Sequence, residues 1–280
     1  MVRVAVVDVP LHITSMWLPK YTDDPVTTGS LGAGVIIRPG VKLTVRLGGK
    51  REPSVGLIDY VLAKFNVNAV VSYESPVELG VGYGMSAALA LGTAVGVAAL
   101  LSRSMIEAAK VAHIVEVKNR TGLGDVIAEY YGSGIEVRVR PGPPGVGLLD
   151  RVPYPEDLVV LTVDLGRGST PTMLKELANK LNEIGPRYIK KIINEPTYEN
   201  FVSLSREFSR EIGFLTRDIE GRLSPCTRYA DTYYAKKGVL VVLTHEDEEE
   251  QLTQCLGEVG IVAKRFMISN EGLKIVLRDQ

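Results

Sequence analysis

The stretch Val77–Ala90 holds three glycines at alternate positions, Gly80, Gly82 and Gly84, followed by Ser86 and an alanine-rich run. Without Cβ atoms, such a loop lets a ligand approach the backbone, and the helix that follows offers unpaired N–H groups backed by the positive end of its dipole. The combination suits a polyphosphate anion, with Gly80, Gly82, Tyr83, Gly84, Met85, Ser86 and Ala87 as the contacting residues. The Ser86 hydroxyl is placed to cap the helix, touch a phosphate or reach its magnesium. A P-loop GxxxxGK[ST] is absent, and the glycine spacing is not the GxGxxG of a dinucleotide fold. The competing reading is a tight turn before a buried helix.

Two carboxylates stand out beside this loop. Asp125 follows Thr121-Gly122-Leu123-Gly124 and opens a helix, where the dipole keeps it ionised. It is a candidate base for a hydroxyl nucleophile, or else an ordinary N-cap. Glu116 lies on an otherwise apolar helix. A buried carboxylate is costly unless paired or bound to metal, and magnesium with phosphate oxygens would satisfy it; the alternative is a partly exposed position near Lys118 or Arg120. His12 and His113 have no metal-ligand spacing and read equally as hydrogen-bonded histidines. Arg138 and Arg140 share a strand face by period two, where one of them would clamp a substrate carboxylate or both would be solvated.

The elements that must position these groups follow from pattern. The 280 residues suffice for one large or two ordinary domains, and 45% hydrophobic with 23% charged residues describes a globular protein. A net charge of -1 gives no support for broad nucleic-acid binding. No apolar run spans a bilayer and no signal peptide is read, and Cys226 and Cys255 lack zinc spacing, so two structural thiols in a reducing cytoplasm are expected. A valine-rich strand over Val2–Val9 ends at Pro10, and a long functional loop runs from Leu11 to Gly34. Strands follow over 35–38 and 41–47, split by Pro39-Gly40, then a helix over 54–65 and a strand over 69–73. Helices 87–101 and 104–119, the second with a Ser104/Glu107 capping box, precede a short helix from Asp125 and a strand through Arg140. Pro141–Gly147 is a connector, which sets a boundary near residue 153. The second half reads as a strand over 158–163, helices between 170 and 237, then strand 239–244, helix 246–257 and strands 259–265 and 271–277. The class is α+β, with an antiparallel sheet backed by helices.

Together these pieces resemble the GHMP kinases, the superfamily of galactokinase, homoserine kinase and mevalonate kinase. The phosphate motif is matched by GVGYGMSAALALG and the late Gly-x-x-Asp segment by TGLGDVIAEYYG. Within that superfamily the chain is similar to the archaeal pantoate kinases, through Pro10–Ser15, Gly29–Gly34, Ala112–Val117 and Thr121–Val126. The resemblance implies a ribosomal-protein-S5-like domain over 1–153 and a ferredoxin-like domain over 154–280, with ATP and pantoate in the cleft between. It implies Ser86 and Glu116 at Mg²⁺ and ATP, Asp125 as the catalytic aspartate, and His12, Thr14, Ser30 and Arg138 at the substrate, in a cytoplasmic homodimer. Other implied options are a homoserine- or mevalonate-type kinase, or a ligand sensor without catalysis. The chain departs from the pattern in two places: Ser15 replaces a glycine, and the glycine-rich third motif has no counterpart in ADTYYAKKGVLVV beyond Gly238.

Overall fold

The computed structural model describes residues 3–49 and 55–279; the expected positions at Val2 and Ser54 lie outside them. Two long antiparallel strands organise the first half: β1 (Arg3–Lys20) and β2 (Gly29–Leu47). Pro10 and Pro39-Gly40 were expected to break this region, and 11–34 was expected to be loop. Instead the ladder runs through them. Register shifts between Val9 and Leu11 and between Thr14 and Met16 absorb the irregularities, and Pro10 falls at the first bulge, where no ladder N–H is needed. His12, Thr14 and Ser30 are therefore carried on a buried strand pair, not on a loop.

Strand β3 (Ala69–Glu74) and strand β4 (Ile135–Arg140) also pair with β2, and β5 (Leu148–Val152) pairs with β4. Helices α1 (Gly56–Phe65), α2 (Met85–Leu100), α3 (Met105–Asn119) and α4 (Asp125–Tyr131) complete this half. Residues Ala87–Ala99 of α2 are buried without interruption, so the helix is apolar all round and lies in the interior. Close packing fixes its distance from the sheet: a Cβ on Gly96 would sit 2.6 Å from Val45 Cγ2. Ser104 caps α3 by accepting the Glu107 N–H at 3.3 Å, as the capping box requires.

The second half contains β6 (Leu158–Asp164), α5 (Thr170–Asn194), α6 (Tyr198–Ile212), α7 (Arg217–Leu223), β7 (Thr232–Lys236), β8 (Val239–His245), α8 (Glu249–Glu258), β9 (Lys264–Ile268) and β10 (Lys274–Asp279). Strand β7 occupies a stretch expected to be helical, and β9 begins at Lys264, later than the pattern implied. All pairings are antiparallel, in the order β10-β1-β2-β9-β6-β8-β7, so the class is α+β as expected. Strand β9 joins the halves, with Ile268 opposite Ile37 and Met267 opposite Val159. The boundary near residue 153 puts the last strand in the second half, but it crosses back to β1 of the first, where Arg278 faces Val4.

The two cysteines are not free thiols. Cys226, in a 3₁₀ turn over Ser224–Tyr229, is disulfide-bonded to Cys255 on α8. A separation of 29 residues conceals this in the sequence, and only the packing of the turn and α8 into one apolar cluster with Leu252 and Leu256 brings the sulfurs together. Among the described residues no helix is long and apolar enough to cross a membrane. Closing a loop of this length removes unfolded-state entropy worth about 3–4 kcal/mol. Adding reductant should lower the melting temperature of the wild type but not of a Cys226→Ala/Cys255→Ala variant. An unchanged wild-type melt would show that the bond contributes nothing.

Candidate active site

A cleft of about 300 Å³ opens where the glycine loop meets the second half of the chain. One wall is Gly80–Ser86, another is Thr121–Asp125, and the strand pair supplies Thr14, Trp17 and Ser30. Residues Gly168–Leu174 and the β7–β8 turn, Lys236 and Lys237, close the remaining side. Gly80, Gly82 and Gly84 all have positive φ, at 94°, 135° and 73°. At Gly82 the requirement is double, because a Cβ there would also sit 2.8 Å from the Lys236 carbonyl oxygen. Gly84 begins α2 without a side-chain cap, which leaves the first-turn N–H groups of Met85 and Ser86 for a ligand.

Two expected loop contacts are placed differently. The Ala87 N–H bonds back to the Gly84 carbonyl at 2.8 Å, and its methyl group is buried, so it is not presented to the cleft. Tyr83 turns its side chain into the interior, where its hydroxyl donates to Asp164 Oδ1 at 2.6 Å and lies 2.9 Å from Thr162 Oγ1. Its carbonyl accepts the His12 N–H at 3.2 Å, so this residue ties the loop to β1 and β6.

Asp125 is the first residue of α4 and does not serve as its cap. Its Oδ1 accepts from His12 Nδ1 at 2.7 Å, and its side chain is 22% exposed while that of His12 is fully buried. The other ring nitrogen of His12 donates to Glu136 Oε1 at 2.9 Å, and Arg138 Nη1 donates to the same oxygen. Burial opposes a charge on His12, but the hydrogen bonds to Asp125 and Glu136 outweigh it and raise its pKa. Burial likewise works against ionised Asp125, yet the His12 hydrogen bond and charge, with Arg138 and Lys236 beyond, hold it below the ordinary carboxylate range. The group is an alternating chain of acidic and basic side chains, Asp125, His12, Glu136 and Arg138, with only its first member facing the cleft.

His12 and Arg138, expected at the substrate, thus lie behind the wall. Arg138 is 1% exposed; its Nε has no partner and faces Gly124, where a Cβ would approach it to 2.6 Å and Ser30 Oγ to 2.5 Å. Arg140 does not share its face, because a register shift between the two residues turns Arg140 outward to donate to the Val146 carbonyl at 2.8 Å. The residue that shares the inward face is Glu136, and period two would have identified it. His113, buried on α3, donates to the Thr28 carbonyl at 2.9 Å and is held neutral by burial.

Glu116 accepts from Ser86 Oγ at 3.1 Å and from Thr121 Oγ1 at 2.6 Å. Burial pushes its carboxyl up to about 8, aided by the like charge of Asp125 and opposed by the two hydroxyls. A Cβ on Gly122 would collide with Glu116 Oε2 and sit 3.0 Å from Asp125 Oδ2, so both carboxylates converge on this glycine. No group of three or more His, Cys, Asp and Glu side chains among the described residues makes a metal site by itself. Even so, a hydroxyl and a carboxylate beside a phosphate loop are the hard-oxygen donors magnesium takes when phosphates and water complete its shell.

Sequence patterns did not indicate the contribution of the second half. The Gly238 N–H donates to the Val81 carbonyl at 2.8 Å and its carbonyl accepts from Leu165 at 2.7 Å, which seats the β7–β8 turn on the glycine loop. Lys237 donates to Thr170 Oγ1 at 2.9 Å, and the Lys236 ammonium lies 3.3 Å from the centroid of the Trp17 ring.

Glu129 was also missed. It is fully buried, its two oxygens have no partner, and one of them would come within 2.5 Å of a Cβ on Gly84. Burial, together with the charges of Asp125 and Glu116, raises its pKa well above the usual carboxylate range, so it stays protonated. In the unfolded chain it ionises near 4.5. From that pH upward the folded state binds the extra proton, and Glu129 subtracts stability as pH rises toward its folded pKa. The melting temperature of Glu129→Gln relative to wild type should therefore increase from pH 5 to pH 8. A pH-independent difference would mean that the carboxyl is not held neutral.

The GHMP kinases N terminal domain matches residues 54–133. A pantoate kinase from Thermococcus kodakarensis is 32% identical over 285 aligned residues, covering 90% of this chain and 92% of that protein. One from Methanospirillum hungatei is 32% identical over 78% of this chain and 79% of its own. Among solved structures, a phosphotransferase related to the CoA biosynthesis pathway superposes with a TM-score of 0.87 at 28% identity and covers 98% of both chains.

Proposed function

The chain belongs to the pantoate kinase family of the GHMP kinases, and on that premise we propose that it transfers the γ-phosphoryl group of ATP to the primary hydroxyl of pantoate. The product is 4-phosphopantoate, an intermediate of coenzyme A biosynthesis. The observation that carries this reading is the 2.7 Å bond from buried His12 to Asp125 at the cleft wall, opposite the glycine loop and Ser86.

Asp125 has one oxygen committed to His12, while Oδ2 takes no hydrogen bond from the described residues and is left for the substrate hydroxyl. The same bond that orients the carboxylate makes it a weak base, so it aligns the hydroxyl first and takes its proton late. A loose phosphoryl-transfer transition state, with little early demand for deprotonation, tolerates this order. Met85 and Ser86 N–H groups at the start of α2 hold the phosphates. Ser86 and Glu116 would hold Mg²⁺, which when bound neutralises phosphate charge. Ser30 and Thr14, which line the cleft, are assigned to the pantoate carboxylate, and Arg138, behind Gly124, contributes its positive charge from behind the wall without touching the substrate. His12 acts through Asp125 and is a positioning residue.

The same proposal divides the chain into lobes over 1–153 and 154–280, with β10 returning to the first, and takes the enzyme as a cytoplasmic homodimer. Purified protein with ATP, Mg²⁺ and pantoate should release ADP, and homoserine or mevalonate should not replace pantoate; no ADP with any of them would favour the sensor alternative. Asp125→Asn keeps the size of the side chain and should lower kcat by about 10²–10⁴ with nucleotide affinity retained. Retention of wild-type kcat would leave the cleft without its assigned base.

A further inference from the structure

The cleft must bind a highly charged polyphosphate, yet the only cationic side chains lining it among the described residues are Lys236 and Lys237. Lys237 is already hydrogen-bonded to Thr170. Lys236 has no carboxylate within ion-pair distance among the described residues, and its ammonium rests on the face of Trp17, whose ring stacks on Phe214 at 5.9 Å and meets Phe208 edge-on at 5.2 Å. An aromatic platform attracts a cation without consuming its hydrogen-bond donors as a carboxylate would. The lysine is thus fixed in place with N–H groups left to give.

Its backbone is fixed as well. The Lys236 carbonyl packs against Gly82, and two residues later the Gly238 N–H is bonded to Val81, so the lysine moves with the phosphate loop. The ammonium shares the cleft with Asp125 and lowers that carboxylate's pKa, while burial presses its own pKa downward. An ammonium in this setting gains most when negative charge arrives beside it.

We propose that Lys236 is a catalytic residue of the phosphoryl transfer, donating from its ammonium to the equatorial oxygens of the γ-phosphoryl group as it passes to the hydroxyl aligned by Asp125. The bond from phosphorus to the hydroxyl oxygen forms, and the bond to the β,γ-bridging oxygen breaks with its electron pair leaving on ADP. The hydroxyl proton goes to Asp125, and Lys236 keeps its own protons throughout. This assignment takes over the place left by the missing third glycine motif: the second half supplies a cation where a glycine loop was sought. It rests on the kinase reading above.

Lys236→Met keeps an unbranched apolar stem over Trp17 and removes the charge. Loss of one such donor typically costs about 10²–10³ in kcat. The expected result is a fall of that size, with KM for ATP and pantoate within a few-fold of wild type, an undiminished melting temperature, and partial recovery in Lys236→Arg. A second arm needs no turnover: calorimetry with ADP alone and with ADP plus aluminium fluoride, a mimic of the transferring phosphoryl group. Lys236→Met should bind ADP as wild type does and lose the extra affinity conferred by the fluoride. A kcat within threefold of wild type, or equal weakening of both nucleotide complexes, would overturn the assignment. If the wild type rejects pantoate but phosphorylates another alcohol, the substrate reading fails while the Lys236 comparison is made on that alcohol. If no alcohol is phosphorylated, the fluoride arm still decides.

Discussion

Three buried ionisable side chains and a fourth at the cleft wall lie in one line, and the site depends on their mutual compensation. A buried ion is tolerated only when opposite charge and hydrogen bonds replace its hydration, and removing one member of such a set leaves another exposed to the full penalty. Here Arg138 neutralises Glu136, Glu136 draws a proton onto His12, and His12 holds Asp125 ionised at the cleft. The line spans three elements: His12 is on β1, Glu136 and Arg138 are on β4, and Asp125 starts α4. The bulged pairing of β1 with β2, and of β2 with β4, sets the distances among them. Strand register therefore has a chemical consequence, since a shift of one residue on β4 would turn both Glu136 and Arg138 away from His12.

Two neighbouring carboxyls show how the same low-polarity surroundings are used differently. Glu116 keeps company with two hydroxyls and converges with Asp125 on Gly122. Glu129 has no such company and survives by staying neutral. Its protonated state spares the phosphate loop a negative charge directly beneath Gly84.

Much of the first half was legible in the sequence because its signals are local. A glycine loop, a Ser104 cap and an apolar helix depend on residues a few positions apart, and each was found where its pattern placed it. Where patterns were misleading, the competing effect can be identified. Prolines at 10 and 39 read as strand ends, but bulges let the ladder pass them. Arginines at 138 and 140 read as one face, but a bulge separated them. Lys236 was beyond reach for another reason. Its approach to the loop is made through a carbonyl and its cation through an aromatic ring 219 residues away in sequence, neither of which leaves a spacing to search for. The Cys226–Cys255 bond and the neutral state of Glu129 are likewise products of packing, invisible until the surroundings are known.

The return of β10 to β1 has a bearing on how the molecule comes into being. Strand β1 carries His12 and the floor of the cleft, yet its outer flank near Val4 is paired only once Arg278 and its neighbours are available. During synthesis the ribosome would deliver everything between β1 and β10 before that flank is covered, and contacts so distant along the chain close late and slowly. Until then the nascent first half presents an open strand edge rich in valine, the kind of surface that chaperones shield and that recruits wrong partners. The finished sheet is in this sense a clasp, fastened after everything between its two ends has been made.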